Sequence, residues 1–409
     1  MNVIFSTHLP TATLGEVLSI ADSGTWGDAG DEVHGMPVLR SSNIQNYKLD
    51  LTDVAWRIIP DKDKERRRLA DLDIIVTKSS GSAQHIGKCC LFRDPGDGPS
   101  YYFSNFTQRL RAKQNLLDSR WLYYWLSSKP ARAILEAMSS TTTGLRNLNV
   151  GRYLEQEIPL PPLPEQRRIA AILDKADAVR RKRQEAIRLT EEFLRSAFLE
   201  MFGDPVTNPK GWPIAQLHEI CDEIVDCPHS TPRYASTQTP YPCLRSSDIQ
   251  NGYLDWSTTK YVDAVEYKKR IERTTPITGD VIYCREGARF GNAARIQDST
   301  NVCLGQRMML FRVAPAAPLL ATSEFLWGFM MCDSTYQQAV RLAGGSASPH
   351  VNVRDIKAFS TIVPPLELQE SFSQLVKQSD LKRERYLESL RTLDGLFNAL
   401  VQRAFRGEL

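Results

Sequence analysis

The chain has 409 residues, 51 basic and 48 acidic, with a formal charge of +3 and 42% hydrophobic residues. A normal apolar fraction with almost balanced charge excludes a disordered chain, and the length allows two to three ordinary domains. The near-neutral charge also argues against a free-standing polyanion binder, which usually carries a basic excess.

No run of about eighteen apolar residues occurs, so no membrane span is expected. The opening MNVIFSTHLPTATLGEV is too polar to read as a signal peptide. Cys89, Cys90, Cys221, Cys227, Cys243, Cys284, Cys303 and Cys332 form no CxxC pair, and no spaced histidine pair follows them. Zinc is therefore not expected, and the cysteines read as thiols of a reducing cytoplasm.

Residues 1–162 alternate short β-branched or apolar runs (VLRSSNI, DLDIIVTK, HIGKCCLF) with Gly, Asn and Ser turns, predicting a strand-rich mixed α/β domain. One helix is expected from Asp118 to Met138. From Glu165 to Phe202 there is neither Gly nor Pro; Pro164 suits a first helical turn, and Gly203-Asp204-Pro205 supplies a stop. Ile169, Ile172, Ala176, Val179, Arg183, Ala186, Thr190, Phe193 and Ala197 recur at three-four spacing, which predicts a long heptad helix over 163–202 in need of a partner.

The pattern then starts again. MPVLRSSNIQNYKLD from Met36 returns as YPCLRSSDIQNGYLD from Tyr241, with ten identities in fifteen positions at an offset of 205. Leu14–Val17 answers Leu217–Ile220, Asp73–Ile75 answers Asp280–Ile282, Gln108-Arg109 answers Gln306-Arg307, and Pro161–Leu163 answers Pro364–Leu366. Two copies of a unit of about 200 residues make a pseudo-dimer rather than a solenoid. A second mixed domain is thus expected over 203–365, its helix near Ser323 to Leu342, and a second heptad helix over 366–409.

Connectivity makes the two long helices antiparallel. About 35 residues at 1.5 Å each form a rod of roughly 50 Å, a spacer of fixed length between two similar heads. The fold class is α+β: two similar mixed α/β domains joined by two long antiparallel coiled-coil helices as a pseudo-two-fold repeat. Matching Gln166 with Gln369 and Phe198 with Phe405 makes the second helix about one turn longer, a four-residue stutter near Gly395 that would locally unwind the pairing.

Patterns for catalysis fail on inspection. Gly81–Lys88 imitates a phosphate-binding loop, but has five residues between its glycines, and Cys89 stands where Ser or Thr should hold magnesium. No GxGxxG opens a helix after a strand. Glu266-Tyr267-Lys268 imitates part of a metal nuclease site, yet its counterpart Asp61-Lys62-Asp63 lacks the lysine, so it reads as solvated surface. No active site is expected.

IPLPPLPEQRRIAAILDKAD (residues 158–177) resembles the start of the central conserved helix of specificity (S) subunits of type I restriction–modification enzymes. QRAFRGEL (402–409) is similar to that family's C-terminus, and Asp226–Pro232 (DCPHSTP) resembles a stretch early in its target-recognition domains. The resemblance covers the whole chain in order. It implies a non-catalytic, cytoplasmic reader of double-stranded DNA: target-recognition domains over 1–162 and 203–365, each contacting half of a bipartite site, with helices 163–202 and 366–409 setting the unread spacer. It further implies that the helices dock two methyltransferase (M) subunits and that restriction (R) subunits complete the complex. S-adenosylmethionine, ATP and magnesium would then belong to those partners and not to this chain. A coiled-coil adaptor binding proteins instead of DNA fits the composition equally well.

Polar loops able to reach base edges and phosphates are the candidate DNA contacts. In the first head they are Arg40, Ser41, Ser42, Asn43, Lys78, Ser79, Ser80, Ser82, Thr142, Arg146 and Asn147. In the second they are His229, Ser230, Arg245, Ser246, Ser247, Arg285, Arg289, Ser346 and Ser348. LRSS is common to both copies and reads equally as a fold turn. Clusters that differ between copies, such as Lys78-Ser79-Ser80 against Arg285-Glu286-Gly287, suit two heads that read different half-sites. Trp121, Tyr123, Tyr124 and Trp125 lie at helical spacing and read as core.

Overall fold

A computed structural model describes residues 9–45, 47–82, 85–96, 98–142, 145–298, 301–313, 321–343 and 349–409. The chain forms two compact units, one of Met1–Lys182 with Leu390–Leu409, the other of Arg183–Ser389. The units do not follow the head-and-helix division of the sequence: each contains one head together with part of both long helices.

In the first unit an antiparallel sheet has β1 (Leu18–Ser23), β2 (Ile74–Thr77), β4 (Cys89–Leu91) and β5 (Thr107–Ala112) in the order β4-β2-β5-β1. Between β2 and β4 lies the short strand β3 (Ser79–Ser80). IIVT of β2 is buried throughout because both faces of the sheet are covered. Ile74 and Val76 face one apolar cluster with Leu110 and Cys89, whereas Ile75 faces another with Cys90, Phe92 and Phe103. The alternation is the period of a strand.

The expected helix from Asp118 to Met138 is two helices, α1 (Ser119–Leu126) and α2 (Lys129–Ala137). Ser127 bonds back to the Tyr123 carbonyl through both its amide and its Oγ, closing the first helix. Ser128 Oγ then accepts from Ala131 N to open the second. Asp118 caps α1 by accepting from Arg120 N at 2.9 Å. Burial raises the Asp118 carboxyl, but hydrogen bonds from Arg120 outweigh it and hold the group below the usual carboxylate range. Trp121 and Trp125, four residues apart, share one buried face and meet the ring of Phe405 at 4.6 and 5.0 Å. Strands β6 (Ser139–Thr142) and β7 (Leu145–Leu148) follow, and then the long helix α3 (Leu163–Phe202) begins.

The second unit repeats this plan. Its sheet has β8 (Cys221–Asp226), β9 (Val281–Cys284), β10 (Ala293–Arg295) and β11 (Met308–Val313) in the order β10-β9-β11-β8. Helices α4 (Ser323–Met330) and α5 (Asp333–Leu342) divide at Met331-Cys332 as α1 and α2 divide at the serines. Helix α6 spans Leu366–Arg406.

The strand registers correct one match made from sequence. Arg109 opposes Ile75 and Asp22, while Leu310 opposes Ile282 and Val225. Arg109 therefore corresponds to Leu310, and Gln306-Arg307 lies before the strand. The repeated pair is Arg111 with Asp73 at 2.7 Å and Arg312 with Asp280 at 2.7 Å, each on a fully buried aspartate. Arg109 is peculiar to the first unit: it is buried, bonded bidentately to Asp22, and donates to the carbonyls of Arg66 and Arg68.

The expected four-residue excess in the second long helix is also overturned. Helix α3 has 40 residues and α6 has 41, and each ends at a glycine with positive φ, Gly203 (+78°) and Gly407 (+73°). Phe405 matches the buried Phe202 at the offset of 203 that Gln166 and Gln369 also keep. Helix α6 runs unbroken through Gly395.

Within the second unit, ascending α3 positions meet descending α6 positions. Arg183 lies 4.6 Å over the ring of Tyr386, Glu191 pairs with Arg383 at 3.2 Å, and Phe198 meets Phe372 at 5.5 Å. In the first unit Arg180 reaches Asp394 and lies over Phe397, while Ile169 and Leu173 share a core with Val401, Ala404 and Phe405. The helix segments are antiparallel in both. Among the described residues no helix is long and apolar enough to cross a membrane.

Candidate nucleic-acid interface

In each unit the polar residues gather where the ends of the paired central strands meet the loop after the first strand. In the first unit β7 pairs with β6 and with β3, setting Arg146 opposite Ser80 and Asn147 opposite Ser79. Ser79 Oγ donates to Asn147 Oδ1 at 2.7 Å, and Leu148 N bonds the Lys78 carbonyl. Lys78, Ser79, Ser80, Arg146 and Asn147, which lie far apart in sequence, are thus neighbours. Thr142 ends the other strand of the same hairpin, and Ser82 N donates to Ser80 Oγ. Lys78 Nζ donates to Ser23 Oγ at the end of β1. Partial burial and the charge of Arg67 pull the Lys78 ammonium below its ordinary range.

Arg285 occupies the matching place in the second unit: Val351 N bonds its carbonyl as Leu148 N bonds that of Lys78. Its chemistry differs. Arg285 is 3% exposed and paired with Asp226, which stands where Ser23 stands in the first unit. Its guanidinium also lies 3.1 Å from His350 Nδ1, and that imidazole pairs with Glu286 at 2.8 Å. The sequence reading placed Arg285 among base-reading side chains; the structure places it inside, holding the loop start. Arg289 is exposed, and Ser346 and Ser348 lie outside the described residues.

The LRSS segments resolve as a repeated turn. Arg40 N donates to Asn43 Oδ1, and Arg40 Nη2 donates to the carbonyl and carboxylate of Asp53. Arg245 N donates to Asp248 Oδ2, and its Nη2 reaches Asp248 and the Thr258 carbonyl. Asn43 and Asp248 are buried. Ser42 and Ser247 remain exposed, with Ser41 and Ser246 half-buried. Identity between copies here records a shared turn.

Glu266, read from sequence as solvated surface, is 2% exposed. It pairs with the fully buried side chain of Arg270 at 2.9 Å. Burial raises the Glu266 carboxyl, but hydrogen bonds from Arg270 and Arg233 more than reverse this. Arg270 also donates to the carbonyls of Pro228 and Ser230. Sequence reasoning named Asp226 and His350 only within longer stretches, and it missed Ser23, Arg270 and Gln306 as site residues. The i,i+4 spacing of Glu266 and Arg270 on a short helix was the one available signal.

The remaining imitations resolve structurally. Lys88 is followed by strand β4 instead of a helix. All eight cysteines are buried and unbridged, and burial pushes the Cys89 thiol up to about 11. No cluster of metal-ligating side chains occurs among the described residues.

A duplicated head, each copy packed on antiparallel helix segments and presenting clamped polar loops, defines a two-headed recognition protein. Its sequence matches the model of the type I restriction modification DNA specificity domain twice, over residues 11–189 and 209–388, and the chain belongs to that family. It is 22% identical over 396 residues to the type I restriction enzyme EcoKI specificity subunit of Escherichia coli K12, covering 91% of this chain and 82% of that one. It is 21% identical over 403 residues to the StySPI specificity subunit of Salmonella potsdam, with the same coverage. Its fold is similar to the crystal structure of an S subunit from M. genitalium, with a TM-score of 0.54 at 14% identity over 99% of this chain and 98% of that one.

Proposed function

We propose that this chain is the DNA-reading subunit of a type I restriction–modification complex in the cytoplasm. Each head reads one half of a bipartite duplex site, while the paired helices set the unread spacer and dock two methyltransferase subunits. The carrying observation is the double family match laid over two heads whose main four-stranded sheets share one strand order and whose polar loops differ in chemistry at matching places. Lys78 beside Ser23 offers a positive charge without a carboxylate in that pair, whereas Arg285 beside Asp226 does not. Such differences give two heads different half-sites. The chain itself performs no catalysis in this reading; restriction subunits join the complex, and S-adenosylmethionine, ATP and magnesium bind the partner subunits.

The near-neutral charge supports the division of labour. Each phosphate neutralised steepens the salt dependence of binding, and a chain at +3 has little charge to spend on it. Partner subunits would then supply much of the affinity and this chain the choice of sequence. Methylome sequencing of cells with and without the chain tests this. A bipartite methylated site should appear only with it, and replacing residues 203–365 by the equivalent part of a relative should alter one half-site alone. An unchanged methylated sequence after that exchange would refute the reading.

A further inference from the structure

We infer that the buried Arg270–Glu266 pair is a positioning device that holds loop Asp226–Pro232 of the second head as a pre-set reading surface. The inference rests on the DNA-reading function proposed above.

The loop is tethered from inside at consecutive carbonyls. Arg270 Nη1 donates to Pro228 O at 3.2 Å, and Nη2 donates to Ser230 O and, at 3.2 Å, to Ser230 Oγ. Gln306 Nε2 donates to His229 O, between them, and Thr231 Oγ1 donates to Gln306 Oε1. The loop start is fixed by Asp226, which pairs with both Arg285 and His229. Main chain is thereby held, and Ser230 Oγ, Thr231 Oγ1 and the His229 ring are oriented by Arg270, Gln306 and Asp226 while all three residues stay exposed, His229 at 64%. A polar surface ordered before contact avoids the entropy of ordering it on binding, and misplaced donors there lose base discrimination.

The device recurs in the first head in a looser form. Arg67 and Asp63 sit 203 residues before Arg270 and Glu266 with the same i,i+4 spacing. Arg67 pairs with Asp22, and Asp63 accepts from Thr25 Oγ1 at 2.9 Å, both flanking the end of β1. Side chains are held there where the second head holds carbonyls.

Removing Arg270 alone would strand the Glu266 charge in the interior, so the informative variant is Arg270→Met with Glu266→Met, which removes both charges at similar volume. The full chain carrying both changes is assembled with its methyltransferase partners and offered DNA randomised in both half-sites. The expected result is a folded complex of unchanged composition whose preference at the second half-site falls about tenfold or more, with the first half-site and spacer intact. Gln306→Ala, which loosens the loop without touching the buried pair, should degrade the same half-site and keeps the question decidable should the double variant not fold. A folded double variant, or a Gln306→Ala complex, with undiminished preference at the second half-site overturns the inference. A wild-type complex without any bipartite preference would instead overturn the function on which it rests.

Discussion

Gln166 explains in atoms why a Pro-Glu-Gln sequence opens the first long helix. Its side chain is fully buried; Oε1 accepts from Asp118 N at 2.9 Å, and Nε2 donates to the carbonyls of Leu116 and Pro161. One amide thus joins the start of α3 to the cap of α1, and Gln369 does the same with Thr322 N and Pro364 O in the second unit. Leucine would fill the volume but leave buried polar groups without partners, at about 1–3 kcal/mol for each. Gln166→Leu is therefore expected to lower the thermal midpoint markedly, measured by calorimetry of the purified chain. An unchanged midpoint would show that the amide is dispensable. Aliphatic neighbours such as Ile169 carry no comparable directional demand.

The long helices invite a prediction of opposite sign. Gly395 lies inside α6, and a methyl group at its Cβ position would meet nothing within 4 Å. Gly395→Ala should stabilise by up to about 1 kcal/mol through helix propensity alone, read as a raised denaturation midpoint with DNA preference unaltered. A fall in stability would mean that the glycine packs closely against something. The same elements show what could be read in advance. Heptad spacing and the Gly203 stop marked α3 to the residue, because both are local properties of the chain. The break between α1 and α2 was missed although Pro130, in the first turn of α2 just after Ser128, signals a helix start. Gln306-Arg307 matched Gln108-Arg109 by letters although strand register separates them. In the candidate site, the differing segments Lys78–Ser80 and Arg146-Asn147, far apart in sequence, lie side by side in the first unit. The interior of that site was illegible: polarity made Glu266 look exposed and Arg285 look available, and only the folded chain shows each neutralised by a partner.

For the molecule as a whole, the function proposed above and the near-equal helices lead to the expectation that both helices together set the spacer length. Seven residues keep heptad phase and add about 10 Å to a helix, close to three base-pair steps. Inserting one heptad in each long helix, after Lys182 and after Ser389, should lengthen the unread spacer of the methylated site by about three base pairs and leave both half-sites intact. An insertion in one helix alone should abolish site-specific methylation, because the pairing partners fall out of step. Retained methylation at the original spacing in the doubly extended chain would show that the helices do not measure it. The composition of the first unit has a consequence for biosynthesis. Its core needs Val401, Ala404 and Phe405, delivered by the segment Leu390–Leu409. The second unit, Arg183–Ser389, is continuous and is synthesised before that segment. The first head is therefore completed after the second, with Trp121 and Trp125 waiting for Phe405 until the far end of α6 is made. A nascent or prematurely stopped chain would present those indoles to chaperones and proteases, so that quality control of the N-terminal head acts through the C-terminal helix.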